Sequence, residues 1–203
     1  MGSASYSCSV ARPREFDESV VLDRALRAFW ERGYDATSVD DLVAATGLGR
    51  ASLYGAFGDK EQFFRRVVDH YAARSRNEVD RVLAGLSGRA ALEAFLLSRV
   101  NGSACFATTP GCFLQIAATS GTSPPLVQEA LIEGQREVNE ILMRSLKEAR
   151  CLGELRATAD LEKLSALLGV VVSGLTASAK AGASEPALSL AVHETMALIF
   201  EAP

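Results

Sequence analysis

Histidine and cysteine are scarce in this 203-residue chain: His70 and His193, and Cys8, Cys105, Cys112 and Cys151. No CxxC pair occurs, and neither histidine is close in sequence to a cysteine, so no zinc site and no other metal site is expected. With two histidines, no paired carboxylates and no Ser/His/Asp arrangement, there is little material for acid–base or nucleophilic catalysis. No enzyme and no cofactor are expected. Also missing is any run of eighteen apolar residues, which argues against a membrane-spanning helix. The opening MGSASYSCSV lacks the basic start and apolar centre of a signal peptide. Tyr6 stands where a myristoylation signal needs Ser or Thr. The expectation is a cytoplasmic protein with free thiols. Finally, there is no excess of positive charge. The net charge is −4, but residues 1–76 hold eleven Lys and Arg against eleven Asp and Glu, and the whole deficit falls in residues 77–203. A nucleic-acid contact would then rest on a local patch rather than on overall charge.

Strand-like alternation is absent as well, and apolar residues recur at helical spacing almost throughout. The fold class expected is all-α, with about nine helices and no sheet. The first helix is placed at Asp17–Arg32, with Leu22, Ala25, Leu26 and Phe29 on one stripe and Gly33 as a left-handed cap. Ser38 is read as the N-cap of a short second helix that Gly47 ends. A third runs from Gly49 or Arg50 to Ala56. Asp59 caps a long fourth helix whose apolar side is Phe63, Phe64, Val67, Val68 and Tyr71. Gly85 and Gly88 mark the next junction, followed by Ala90–Val100 and a short helix at Cys112–Thr119. A helix from Ser123 to about Arg150 starts on Pro124 and Pro125. Asp160–Ala181 and Glu185–Glu201 complete the set.

The stretch TGLGRASLYGAFGDKE (Thr46–Glu61) holds four glycines and invites comparison with phosphate-binding loops. A P-loop or dinucleotide fingerprint needs a preceding buried strand. Here a helix, SVDDLVAAT, precedes Gly47. The alternative is two short helices joined at Gly47 and packed through Leu42, Leu48, Leu53 and Phe57. That is a helix-turn-helix, whose second helix enters a DNA major groove with its early residues against base edges. Helical hairpins with a Gly turn are also ordinary packing units, and pattern alone does not separate the two.

From Phe16 to Phe64 the chain closely resembles the tetracycline-repressor (TetR) family of transcription regulators. The features are ALRAFWERGYDATSVDDLVAATG and SLYGAFGDKEQFF, with Gly33-Tyr34, Thr37-Ser38-Val39, Ala44 to Gly47, and Leu53, Tyr54, Phe57, Lys60 and Glu61 in the family's pattern. The resemblance implies a flexible arm (1–16), a DNA-binding domain (17–62) and a ligand-binding and dimerisation domain (63–203). It places Tyr54 and Lys60 at backbone phosphates, with Ser38 and Val39 offering helix-N-terminal N–H groups to another. Arg50, Ala51 and Ser52 fall at base-reading positions. Arg50 suits either a bidentate guanine contact or a plain phosphate contact. Gly55 stands where many members carry a bulky groove-reading residue. Arg12 and Arg14 form either a minor-groove arm or a tail that contacts nothing.

The same resemblance implies a homodimer on a palindromic operator, most often a repressor released by a small molecule. Gly169, Ser173, Gly174, Ala177 and Ala181, with Leu188, Val192, Met196 and Ile199, are the expected dimer face, unless those helices pack within one subunit. Phe95, Arg99, Phe106, Cys112, Phe113, Gln115, Ile116, Arg136 and Asn139 are the ligand-pocket candidates, mixing aromatic walls with polar handles. TTPGCFLQIAATS resembles a subgroup with a Gly-Cys pair here. That opens an alternative in which Cys112, with Cys105, senses oxidants or electrophiles through a thiolate favoured by a helix N-terminus.

Overall fold

In the computed structural model the described residues are 16–100, 113–114 and 124–200, and among them every regular element is a helix. The order is α1 (Glu18–Ala36), α2 (Val39–Thr46), α3 (Arg50–Phe57), α4 (Lys60–Leu83), α5 (Gly88–Val100), α6 (Pro125–Cys151), α7 (Leu161–Lys180) and α8 (Glu185–Phe200). Phe113 and Leu114, in the stretch expected as a short helix, are helical, and the rest of that stretch lies outside the described residues.

The boundaries follow from capping chemistry. Asp17 accepts from the backbone N–H groups of Ser19 and Val20 at the start of α1. Ser38 and Asp41 form a reciprocal capping box on α2, and Asp59 and Gln62 form another on α4. Asp160 accepts from Lys163 N at the start of α7. α2 ends on Gly47, whose φ of 76° and ψ of 6° are the left-handed helical conformation that glycine adopts without steric cost. Gly33 departs from expectation. Its φ of 79° is positive, but its ψ of 169° makes a kink rather than a left-handed cap, and helical turns continue to Ala36. The buried Thr37 hydroxyl closes this kink by donating to Gly33 O at 2.6 Å.

Two apolar cores organise the chain. The first gathers α1–α3, the first half of α4, Phe113, Leu114 and the start of α6 around Phe29, Leu42, Leu53, Phe63 and Phe64, all at most 1% exposed. The second joins Val79 of α4 with α5, the rest of α6, α7 and α8. α4 therefore belongs to both, and a single helix of 24 residues spans the join. Burial of one core Phe or Leu stabilises by about 1.5–3 kcal/mol, so these cores dominate over any single polar link.

α7 is long and apolar enough to cross a membrane by length and composition. Its inward stripe, Leu161, Leu168, Val172 and Leu175, is instead packed into the second core.

Candidate nucleic-acid interface and cavity

α3 has one buried side and one open side. Leu53 and Phe57 are buried in the first core, where α3 meets α2 and α4, with Phe57 and Phe63 rings 4.4 Å apart. Arg50, Ala51, Ser52, Tyr54 and Gly55 all lie on the exposed side. Tyr54 is 42% exposed, high for a tyrosine that no core requires. A Cβ built on Gly55 meets nothing within 4 Å, so packing does not explain the glycine and a larger side chain would project outward. The sequence-predicted readers thus share one face of one helix.

The neighbouring elements set their surroundings. Ser38 is exposed at the N-terminus of α2, with Val39 partly buried beside it. The Lys60 ammonium sits 4.3 Å above the Tyr34 ring, a cation–π contact that restrains it at the start of α4. Arg50 carries an ion pair that sequence reasoning did not anticipate: its Nη2 donates to Asp40 Oδ1 of α2. That bond, and less strongly the nearby Tyr54, hold the guanidinium more firmly in its charged form. Arg32 likewise pairs with Asp41, whose carboxyl lies below the ordinary aspartate range because Ser38 bonds it and Arg32 faces it. Arg24 reaches from α1 to donate to Thr46 O at 3.1 Å, capping the end of α2. None of these ion pairs and caps has a periodic signal, because each joins residues from different helices. Arg12 and Arg14 lie outside the described residues.

A cavity of about 730 Å³ lies between α4, α5, α6 and α7. Of the pocket candidates, Phe95 and Arg99 line it. The Arg99 guanidinium stacks 4.8 Å over the Phe95 ring, and its Nε donates to Ser98 Oγ. Three candidates fall elsewhere. Phe113 is fully buried in the first core, its ring 5.4 Å from Tyr71 and 5.6 Å from Trp30. Arg136 points to solvent on α6 and pairs with Glu133 and Glu140. Asn139 is exposed on the same helix and accepts from Gln135. For Arg136 and Asn139 helical phase is the reason: the side of α6 carrying Leu131, Gly134, Val138 and Ile141 lines the cavity, with neighbours on either flank, and these two side chains do not. Phe106, Cys112, Gln115 and Ile116 lie outside the described residues, as does Cys105, and no described geometry favours the thiol alternative. Residues that sequence reasoning missed include Ser75, Arg76, Ser98, Arg144 and Thr176 on the wall, with Arg76 bridging to Glu137 at 3.0 Å.

The expected dimer face is also rearranged. Leu188, Val192 and Met196 are buried in this subunit's own core, so they are not available to a second chain, and Ile199, partly buried, packs against the same core. Ser173 lines the cavity, and Gly169 faces Asn139 of α6. Gly174, Ala177 and Ala181 do point outward. They continue a stripe begun by Leu167 and Val170, the latter 70% exposed, at alternating spacings of three and four. α8 adds Leu190 and Leu198, the latter 78% exposed, on the side opposite its buried residues.

Residues 21–67 match the model of the tetR family of bacterial regulatory proteins, and residues 88–194 match that of the tetracyclin repressor-like C-terminal domain. The chain belongs to the tetR family and is a DNA-binding transcriptional regulator with an N-terminal helix-turn-helix. It is 31% identical over 194 residues to the HTH-type transcriptional repressor ComR of Escherichia coli, covering 91% of this chain and 90% of that one. To the HTH-type transcriptional repressor AcnR of Corynebacterium glutamicum it is 27% identical over 174 residues, 83% of this chain and 85% of the relative. Among solved structures, a cysteine mutant of the TetR family regulator CifR, complexed with 26 bp double-strand operator DNA, is similar with a TM-score of 0.77. Its identity is 31%, over 91% of this chain and 98% of that one.

Proposed function

We propose that this chain is a repressor that binds a palindromic operator as a homodimer and is released by a small molecule. It acts in the cytoplasm and catalyses no reaction. The observation that carries the reading is the open face of α3, where Arg50, Ala51, Ser52, Tyr54 and Gly55 stand together beside the start of α2. Tyr54 and Lys60 hold backbone phosphates, Ser38 and Val39 meet another at the N-terminus of α2, and the early residues of α3 read bases. The arm carrying Arg12 and Arg14 adds a further contact. One helix-turn-helix reads too few base pairs for tight binding, so two copies act across a two-fold axis with recognition helices roughly 34–36 Å apart. The outward stripes of α7 and α8 support the dimer: four such helices cover one another's Leu167, Val170, Leu190 and Leu198.

The effector binds in the cavity between α4 and α7. Residues 17–62 are the DNA-reading unit and 63–203 the sensing and dimerising unit. Tyr71 supports a link between them, since it lines the cavity and also meets the Trp30 ring of α1 edge-on at 5.7 Å. A ligand preferring one α4 position over another shifts the population of DNA-competent dimers by its differential affinity. The test is an electrophoretic shift on palindromes from the gene's own promoter. Tyr54→Phe and Lys60→Ala should weaken binding to every sequence alike, and wild-type affinity in both variants would remove these residues from the interface.

A further inference from the structure

Asp40 and Arg50 lie ten residues apart, on different helices of the helix-turn-helix, yet their side chains are bonded. Both are well exposed, at 79% and 54% of the side chain, so the pair contributes little to folding. It does restrict where the guanidinium can lie. A free arginine has about 2 kcal/mol of rotamer entropy to lose on fixing its fork against a base. Here one Nη is already tethered to Asp40, and the guanidinium carries five N–H donors in all. Tyr54, one turn further along α3, borders the same group. A carboxylate at this place also repels a phosphate, so a guanidinium bonded to it is better suited to a base edge than to the backbone.

We propose that Asp40 is a positioning residue for sequence reading, holding Arg50 so that it donates two hydrogen bonds to the O6 and N7 of a guanine in each half-site. The inference rests on the operator-binding reading above and decides between the two roles open to Arg50. A bidentate arginine–guanine contact discriminates against the wrong base by about five- to 150-fold. Without its tether Arg50 keeps its charge but samples neighbouring phosphates.

The experiment is selection of bound duplexes from a random pool by the full-length protein, with wild type, Asp40→Asn, Arg50→Lys and Arg50→Ala compared at one salt concentration. Thermal melting of each variant checks that it is folded. Wild type should enrich one guanine per half-site that Arg50→Ala no longer selects. Arg50→Lys, which keeps the charge but loses the fork, should also lose it. Asp40→Asn should lower selectivity at that position alone by at least threefold while binding to unselected DNA stays equal or rises. An unchanged profile in Asp40→Asn overturns the positioning role, and a sharpened preference for guanine overturns it too, by showing Asp40 to be a competitor. Retention of the guanine by Arg50→Lys makes Arg50 a phosphate contact. If wild type enriches no sequence at all, the operator-binding reading fails, and this inference with it.

Discussion

Asp23→Asn tests how α1, which supports the helix-turn-helix, is fastened to α4, which lines the cavity. Asp23 Oδ1 accepts from His70 Nε2 at 2.8 Å and from Arg74 Nη1, two α4 side chains one turn apart. Burial works against the carboxylate, but the hydrogen bonds from His70 and Arg74, and their charges, outweigh it and hold its pKa below the ordinary value of 3.8. Hydrogen bonds to a charged group contribute roughly 1.5–3 kcal/mol each when buried. The side chain is 32% exposed, so solvent screening brings the pair together to on the order of 1–2 kcal/mol. A carboxyl with a depressed folded pKa stabilises fully above its unfolded pKa, and this is lost as pH falls through the folded pKa. The variant should therefore unfold at about 0.5 M lower urea at pH 7, taking a slope of roughly 2–3 kcal/mol/M. The gap should narrow as pH falls below about 4 and close once wild-type Asp23 is protonated. The assay is urea unfolding followed by helical circular dichroism at pH 7, 5 and 3, at one protein concentration because a dimer's stability depends on it. Equal midpoints at pH 7, or a gap of the same size at pH 3, would refute the argument.

Gly55→Ala should leave the fold intact and raise stability by up to about 0.5–1 kcal/mol, because the position is helical and its Cβ direction is open. A measurable loss of thermal stability would contradict that geometry. Gly88→Ala should be costly. Its φ is +56°, and an added Cβ would lie 2.3 Å from Glu154 Oε2 and 3.2 Å from Ala149 Cα, so a loss of about 2–3 kcal/mol, or roughly 5–10 °C in melting temperature, is expected by calorimetry. Val170→Glu should leave each subunit folded, since the side chain is 70% exposed in one subunit, but should yield monomers in analytical ultracentrifugation and sharply weaker operator binding. A stable dimer in that variant would place the interface elsewhere.

Much of the fold was legible because it is written in local chemistry. Ser38 and Asp59 start helices wherever they stand before an apolar-periodic run, and Gly47 ends one because only glycine enters the left-handed conformation at no cost. The α3 face was legible for the same reason, since Leu53 and Phe57 at a spacing of four fix the buried side and leave Arg50, Ala51, Ser52, Tyr54 and Gly55 off it. The pocket and dimer candidates were less so. Phe113, Arg136 and Asn139 have the composition of a pocket wall, but composition carries no rotation angle. The same holds for Leu188, Val192 and Met196, which look alike whether they face a partner or their own core.

The order and type of the helices, most of their ends, and which side of α3 is left open were thus legible in the sequence alone, because periods, caps and turn residues act within a few positions of one another. Only the tertiary structure decided what depends on how separate helices are rotated and brought together. It turned α8 inward through Leu188 and left Leu167, Val170 and Leu198 outside, and it opened a cavity behind Phe95 and Arg99. It also bonded Asp40 to Arg50 across the turn at Gly47. Such pairings minimise the energy of the whole packed chain, and no short stretch of residues records them.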